Sequence, residues 1–105
     1  MPDRDELMTQ MRARGAALRS LGYRVRFDLT DTDQSILLDA AGGNMELHEA
    51  GPAEEADTVL ALTSNNLAKL IAGKLSPMLA FSTGKLRVEG SKGVAMKLAS
   101  LLDED

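Results

Sequence analysis

The sequence predicts an α+β layer fold, a largely antiparallel β-sheet covered by helices, and three observations carry that prediction. Apolar residues recur at helical spacing through residues 3–21, and directly after Gly22 the period falls to two. The elements that follow cluster, strands with strands and helices with helices, whereas a parallel βαβ fold would alternate them.

In residues 3–21, Leu7, Met8, Met11, Leu18 and Leu21 recur on one helical face with Ala17 beside them, which predicts an amphipathic first helix. Arg4, Arg12, Arg14 and Arg19 are expected to turn mainly outward. Tyr23, Val25, Phe27 and Leu29 then alternate with Arg24, Arg26, Asp28 and Thr30, as a strand with one buried face does. The run Thr30-Asp31-Thr32-Asp33 is turn chemistry, and Ser35-Ile36-Leu37-Leu38-Asp39 reads as the second arm of a hairpin. Ala41-Gly42-Gly43 turns the chain again. A third strand over 44–49 sets Met45 and Leu47 against Glu46 and His48.

Residues 49–57 form a polar connector and 58–62 a fourth strand. Thr63-Ser64 opens a helix with Leu67, Leu70 and Ile71 on one face, and Gly73 ends it. Pro77 suits the first turn of the next helix, where its missing N–H would be unpaired anyway, and that helix brings Met78, Leu79 and Phe81 together. A strand over 85–89 closes at Gly90. Ser91 opens a last helix with Val94, Leu98, Leu101 and Leu102 on one face and Met96 toward its flank.

Length and composition bound the function. A chain of 105 residues makes one domain with a single core. Its formal net charge of −4 lacks the footprint of a phosphate-backbone binder and opposes adhesion to anionic lipid, so nucleic acid is not expected as a partner. No apolar run reaches the ~20 residues that span a bilayer, and the charged N-terminus lacks the design of a secretory signal; no stable membrane insertion is expected. The chain has no cysteine, hence no disulfide, thiolate nucleophile or cysteine metal cluster, which suits the cytoplasm.

Groups for catalysis are scarce. His48 is the single histidine, and no serine or acid stands beside it in an activating context. Glu46 shares its side of the strand, but two ligands do not close a usual zinc site. No metal, cofactor or catalytic residue is expected; an enzyme would need His48 buried near a pocket with a carboxylate partner such as Glu46 or Glu49. The tripeptides Gly73-Lys74-Leu75 and Gly84-Lys85-Leu86 lack the earlier glycine and following Ser or Thr of a phosphate loop. A helix end at Gly73 and a turn into a strand at Gly84 account for them. Gly90-Ser91-Lys92-Gly93 is a strand-to-helix turn.

The remaining feature is the apolar segment 73–98, part of a chain with six methionines, two phenylalanines and no tryptophan. Methionine fills irregular space and adapts to more than one apolar shape, so these residues suit either an ordinary core or a site that holds an apolar molecule. The order Ala56-Asp57, Gly73-Lys74-Leu75, Pro77, Ala80-Phe81, Gly84-Lys85-Leu86, Gly90, then Gly93, Ala95, Met96 and Leu98 decides between them. It resembles the sterol carrier protein type-2 (sterol-binding domain) family. The match is strong through the C-terminal half and extends to the first half through its helix-then-hairpin order and Asp39.

The resemblance implies a five-stranded sheet covered on one face by helices, with an apolar cavity between them, the whole of 1–105 being one lipid-binding domain. It implies non-catalytic binding or transfer of an apolar small-molecule lipid, whether fatty acyl, sterol-like or isoprenoid. The cavity is expected to be lined by Leu67, Ile71, Leu75, Met78 and Phe81, with Met96 from the last helix. The alternative is an accessory module that uses the same groove for a partner protein or a second copy, supporting an enzyme that acts on hydrophobic substrates such as isoprenoid quinones.

Overall fold

In the computed structural model, which describes residues 2–51 and 54–103, the alternating run after Gly22 becomes strand β1, Arg24–Leu29. Val25, Phe27 and Leu29 are buried on one face, and Arg24, Arg26 and Asp28 lie on the other. β1 pairs antiparallel with β2, Gln34–Asp39, which pairs antiparallel with β3, Glu46–Ala50. On its other side β1 pairs in parallel with β4, Thr58–Leu62, and β4 pairs antiparallel with β5, Arg87–Gly90. The result is a five-stranded sheet in the order β3-β2-β1-β4-β5, antiparallel except at its centre. This is the α+β architecture that periodicity predicts.

The connector between β3 and β4, whose Pro52 and Ala53 lie outside the described residues, is tied to the polar face of the sheet. Arg26 Nη1 donates to the Glu54 carbonyl at 2.9 Å, and the His48 ring meets the Glu54 carboxylate at 2.8 Å. Leu37 points to the same face and is fully buried there, separate from the main core.

The apolar face is covered by helices α1, Arg4–Ala13; α3, Ser64–Ile71; α4, Pro77–Ser82; and α5, Lys92–Asp103. The first helix differs from the continuous one expected over 3–21. It ends at Ala13 and resumes as the single turn α2, Gly15–Leu18, and a 3-10 turn, Arg19–Leu21. The reason lies in Arg14, expected outward but turned inward. Its guanidinium donates to the Ile71 carbonyl at 2.6 Å and the Leu102 carbonyl at 3.2 Å, satisfying carbonyls at the C-terminal ends of α3 and α5 that have no partner within their own helices. One arginine thus joins three helices.

The start of α3 is fixed twice. Thr63 Oγ1 accepts the Asn66 N–H at 3.2 Å, and Asp31, from the β1–β2 turn, accepts the Ser64 N–H at 3.0 Å and the Ser64 hydroxyl at 2.6 Å. The Ser64 hydroxyl holds the Asp31 carboxyl below its ordinary value of 3.8, with the Ser64 N–H adding to the effect. Asp39 is lowered in the same direction, first by the Ala41 N–H and then by Arg24.

Two predictions follow from these contacts. A group whose carboxyl is depressed on folding stabilises the protein above the unfolded value and loses that contribution as pH falls through the folded one. Asp31→Asn should therefore lower stability by at most about 1 kcal/mol near neutrality, since Asp31 is exposed, and the gap from wild type should close as acid is added below the unfolded value. Urea denaturation followed by circular dichroism across pH measures it.

Gly90 has φ +85°, and a Cβ there would stand 2.9 Å from the Asp57 carbonyl oxygen, so Gly90→Ala should cost about 1–3 kcal/mol. Gly42→Ala, which meets nothing within 4 Å, should change stability by less than about 0.5 kcal/mol in the same assay.

Candidate functional site: an apolar cavity between sheet and helices

The floor of the site is one row across the sheet. Phe27 of β1 stands beside Leu60 of β4, which stands beside Val88 of β5, all on the helix-covered face. Above this row α4 and α5 stand apart and leave a cavity of about 140 Å³. Pro77, Met78 and Phe81 of α4 form one wall, and Lys92, Ala95, Met96, Leu98, Ala99 and Leu102 of α5 form the other. Leu70 of α3 and Leu86 complete the lining.

Local sequence explains why α4 stands where it does. α3 ends in a Schellman-type turn: Gly73 takes φ +75°, and the Lys74 N–H returns to the Lys69 carbonyl at 2.8 Å. Ser76 then caps α4, its hydroxyl accepting the Leu79 N–H at 3.5 Å, with Pro77 in the first turn. α4 ends as α3 does, with Gly84 at φ +78° and the Lys85 N–H returning to the Ala80 carbonyl at 2.8 Å. Both Gly-Lys-Leu tripeptides are helix ends; Gly84 terminates a helix before the chain enters its strand. α4 is therefore held to six residues between two fixed turns. Only Ala80 and Pro77 of this helix are buried.

Room for the cavity comes from side-chain size on α5. Val94, Leu98 and Leu102 are buried, while Ala95 and Ala99, four apart, put small residues beside that face. The mouth is apolar. Met78 is 55 % exposed, Leu79 56 %, Phe81 45 % and Met96 59 %, and these with Tyr23 are the exposed large hydrophobic residues among those described. Lys92 is the single charged residue in the lining.

Of the residues expected from sequence to line the site, Met78, Phe81 and Met96 stand on its walls. Leu67 and Ile71 are buried in the core, and Leu75 is half-buried against it; none of the three belongs to the cavity wall. α3 packs against α1 and contributes only Leu70 to the lining, so its main apolar face serves the fold. Sequence reasoning did not pick out the floor row or the two alanines. Their signals were the alternation in β1 and β4 and the i, i+4 pair of small residues in α5.

His48 lies on the opposite face of the sheet from the cavity. It is half-exposed, and its partner is Glu54, not Glu46 or Glu49. Among the described residues no three His, Asp or Glu side chains group as metal ligands, and no helix is long and apolar enough to cross a membrane.

Comparison with known proteins bears on this geometry. The SCP-2 sterol transfer family matches residues 5–103. The chain belongs to that family. Hydroxysteroid dehydrogenase-like protein 2 of Homo sapiens is 37% identical over 67 residues, which cover 64% of this chain and 16% of the human protein. The chain thus matches only a small part of the length of these curated relatives.

Among solved structures, sterol carrier protein domain 2 of Helicoverpa armigera superposes with a TM-score of 0.74 at 22% identity, covering 91% of this chain and 81% of that one. Palmitated SCP2L2 from Aedes aegypti superposes with a TM-score of 0.67 at 13% identity, covering 91% and 93%. These two likenesses show a shared fold. The SCP-2 family membership assigns the chain to a lipid-binding class of domain.

The face on which His48 sits leads to an expectation. An exposed His–Glu pair is worth about 0–1 kcal/mol, so His48→Ala should change stability by less than about 1 kcal/mol. The variant should leave the affinity for a fluorescent fatty acid unchanged, as read by titration; a marked loss would tie the polar face to the cavity.

Proposed function

We propose that this SCP-2 domain binds and transfers apolar lipids without chemically altering them, and that its ligand occupies the cavity between the sheet and α4–α5. The observation that carries the reading is the lining: thirteen of its fourteen residues are uncharged and apolar, with Lys92 at the rim. Apart from the amine of Lys92, such a wall presents only hydrocarbon and thioether groups to a bound molecule. Affinity would come from removing ligand surface from water, at roughly 25 cal/mol per Å² before ordering costs.

Size limits how the ligand sits. An apolar void of about 150 Å³ takes a benzene-sized group, and pockets for drug-sized ligands run to about 300–1,000 Å³. A cavity of about 140 Å³ therefore holds part of an acyl chain as it stands. The rest lies under Met78, Phe81 and Met96, or α4 swings on its terminal turns at Gly73 and Gly84 to admit it. Exposed, flexible methionines at the mouth suit chains of differing shape, so fatty acyl, sterol-like and isoprenoid ligands all fall within the class. The palmitated Aedes aegypti relative supports the acyl member. We place this activity in the cytoplasm, in keeping with a chain that has no cysteine.

A second reading has support of its own. The curated relatives are dehydrogenase-like proteins of which this domain matches about one sixth, which supports a role in which the same cavity holds substrate for an enzyme attached to it or associated with it. The two readings share the cavity and differ in where the ligand goes next.

Displacement of a fluorescent fatty acid tests the shared step. Saturable binding is expected, competed by saturated fatty acids of several lengths. Ala99→Phe, which fills the cavity, should weaken it by about ten-fold or more while circular dichroism shows an intact fold. Absence of saturable uptake across acyl, sterol and isoprenoid probes would sink the proposal.

A further inference from the structure

We infer that Met78 and Met96 form an oxidation site at the mouth of the cavity, where a hydroperoxide converts their thioethers to sulfoxides and so lowers the affinity for an apolar ligand. This control rests on the lipid-binding reading and acts on the same site. The chain has six methionines and no cysteine, so thioethers are its only sulfur, with no thiol to react before them.

The fold sorts these methionines by exposure. Met8 and Met11 of α1 are buried in the core, and Met45 is half-buried, its ε-methyl packed against Gly15. Met78 and Met96 alone among the described methionines are more than half exposed. They are also the two that line the cavity, one on the α4 wall and one on the α5 wall. Oxidation requires that peroxide reach the sulfur, so exposure and position single out the same pair.

The chemistry is a two-electron transfer of oxygen. The sulfur lone pair attacks the terminal oxygen of the hydroperoxide, and an S–O bond forms as the O–O bond breaks. The proton of the attacked oxygen passes to the leaving one, which departs as water or, from an organic hydroperoxide, as an alcohol. Sulfur is oxidised and the peroxide reduced, and a flexible apolar side chain becomes a polar, chiral one.

The consequence differs between the free and the loaded protein. With the cavity empty, each sulfoxide oxygen can turn to water, as the exposure of both side chains allows. A ligand lying beneath Met78 and Met96 removes that water, and the side chains of the lining then offer the oxygen only the Lys92 amine as a donor. Burying an unpaired polar group is costly, so the penalty falls on the bound state, and affinity drops while the fold is kept. Coverage also acts in the other direction, since a bound ligand shields both sulfurs from peroxide.

Treatment of the full chain with dilute hydrogen peroxide, followed by peptide mass spectrometry over time, should show Met78 and Met96 oxidised well before Met8 and Met11. Fluorescent fatty acid titration of the oxidised protein should then show affinity lowered by about ten-fold or more, with circular dichroism unchanged. The two methionine sulfoxide reductases, one for each epimer, should restore it. A saturating fatty acid present during oxidation should slow the reaction at Met78 and Met96 and not at Met45. The double variant Met78→Leu, Met96→Leu, whatever its starting affinity, should keep that affinity through the same treatment.

Oxidation of Met8 and Met11 at an equal rate, unchanged affinity after full conversion of Met78 and Met96, or an equal loss in the double variant would each overturn the oxidation site and leave the lipid-binding reading standing. No saturable uptake before peroxide is added would instead overturn the lipid-binding reading, and the control of affinity with it.

Discussion

The parallel pairing of β1 with β4 is the constraint on which the rest of the structure depends. Asp57 and Arg24 bracket one end, the Arg24 N–H donating to the Asp57 carboxylate and the Asp57 N–H to the Arg24 carbonyl, each at 2.9 Å. At the other end the Thr30 N–H reaches the Leu62 carbonyl at 2.9 Å. A parallel neighbour cannot be joined through a tight hairpin, so the chain must travel from the β3 edge back to the centre of the sheet. The connector does so with Glu54 tied to Arg26 and His48 on the polar face, which leaves the apolar face to the helices.

Once the faces are divided in this way, two kinds of helix packing follow. α1 and α3 bury large side chains against each other and the sheet, and Arg14 locks their ends to α5 through the Ile71 and Leu102 carbonyls. α4 is too short, and α5 too rich in alanine on one side, to fill the space above Phe27, Leu60 and Val88. Close packing is the ordinary state of an interior, so the unfilled apolar space beside a tightly packed half is the feature on which the proposed lipid binding rests.

The same two helices that leave the core underfilled carry the exposed Met78, Leu79, Phe81 and Met96. Apolar cavity and apolar rim therefore coincide on one face of the sheet, and His48 with its carboxylate partner is kept to the other. That segregation suits the lipid-binding class of domain to which the family belongs.

Most of the architecture was legible in the sequence because period-two and helical patterns are local. Alternation in β1, the Thr63 cap, Pro77 in a first turn and Gly73 as a helix end are each decided by a few neighbouring residues. The apolar character of 73–98 and its family resemblance were equally plain. Only tertiary structure decided that Arg14 turns inward, since its two carbonyl partners lie 57 and 88 residues away. It also decided that Leu67 and Ile71 serve the core while Leu70 and the two α5 alanines frame the cavity. A helical pattern shows which residues leave water, but whether they meet a neighbour or a void depends on how far apart distant elements are held.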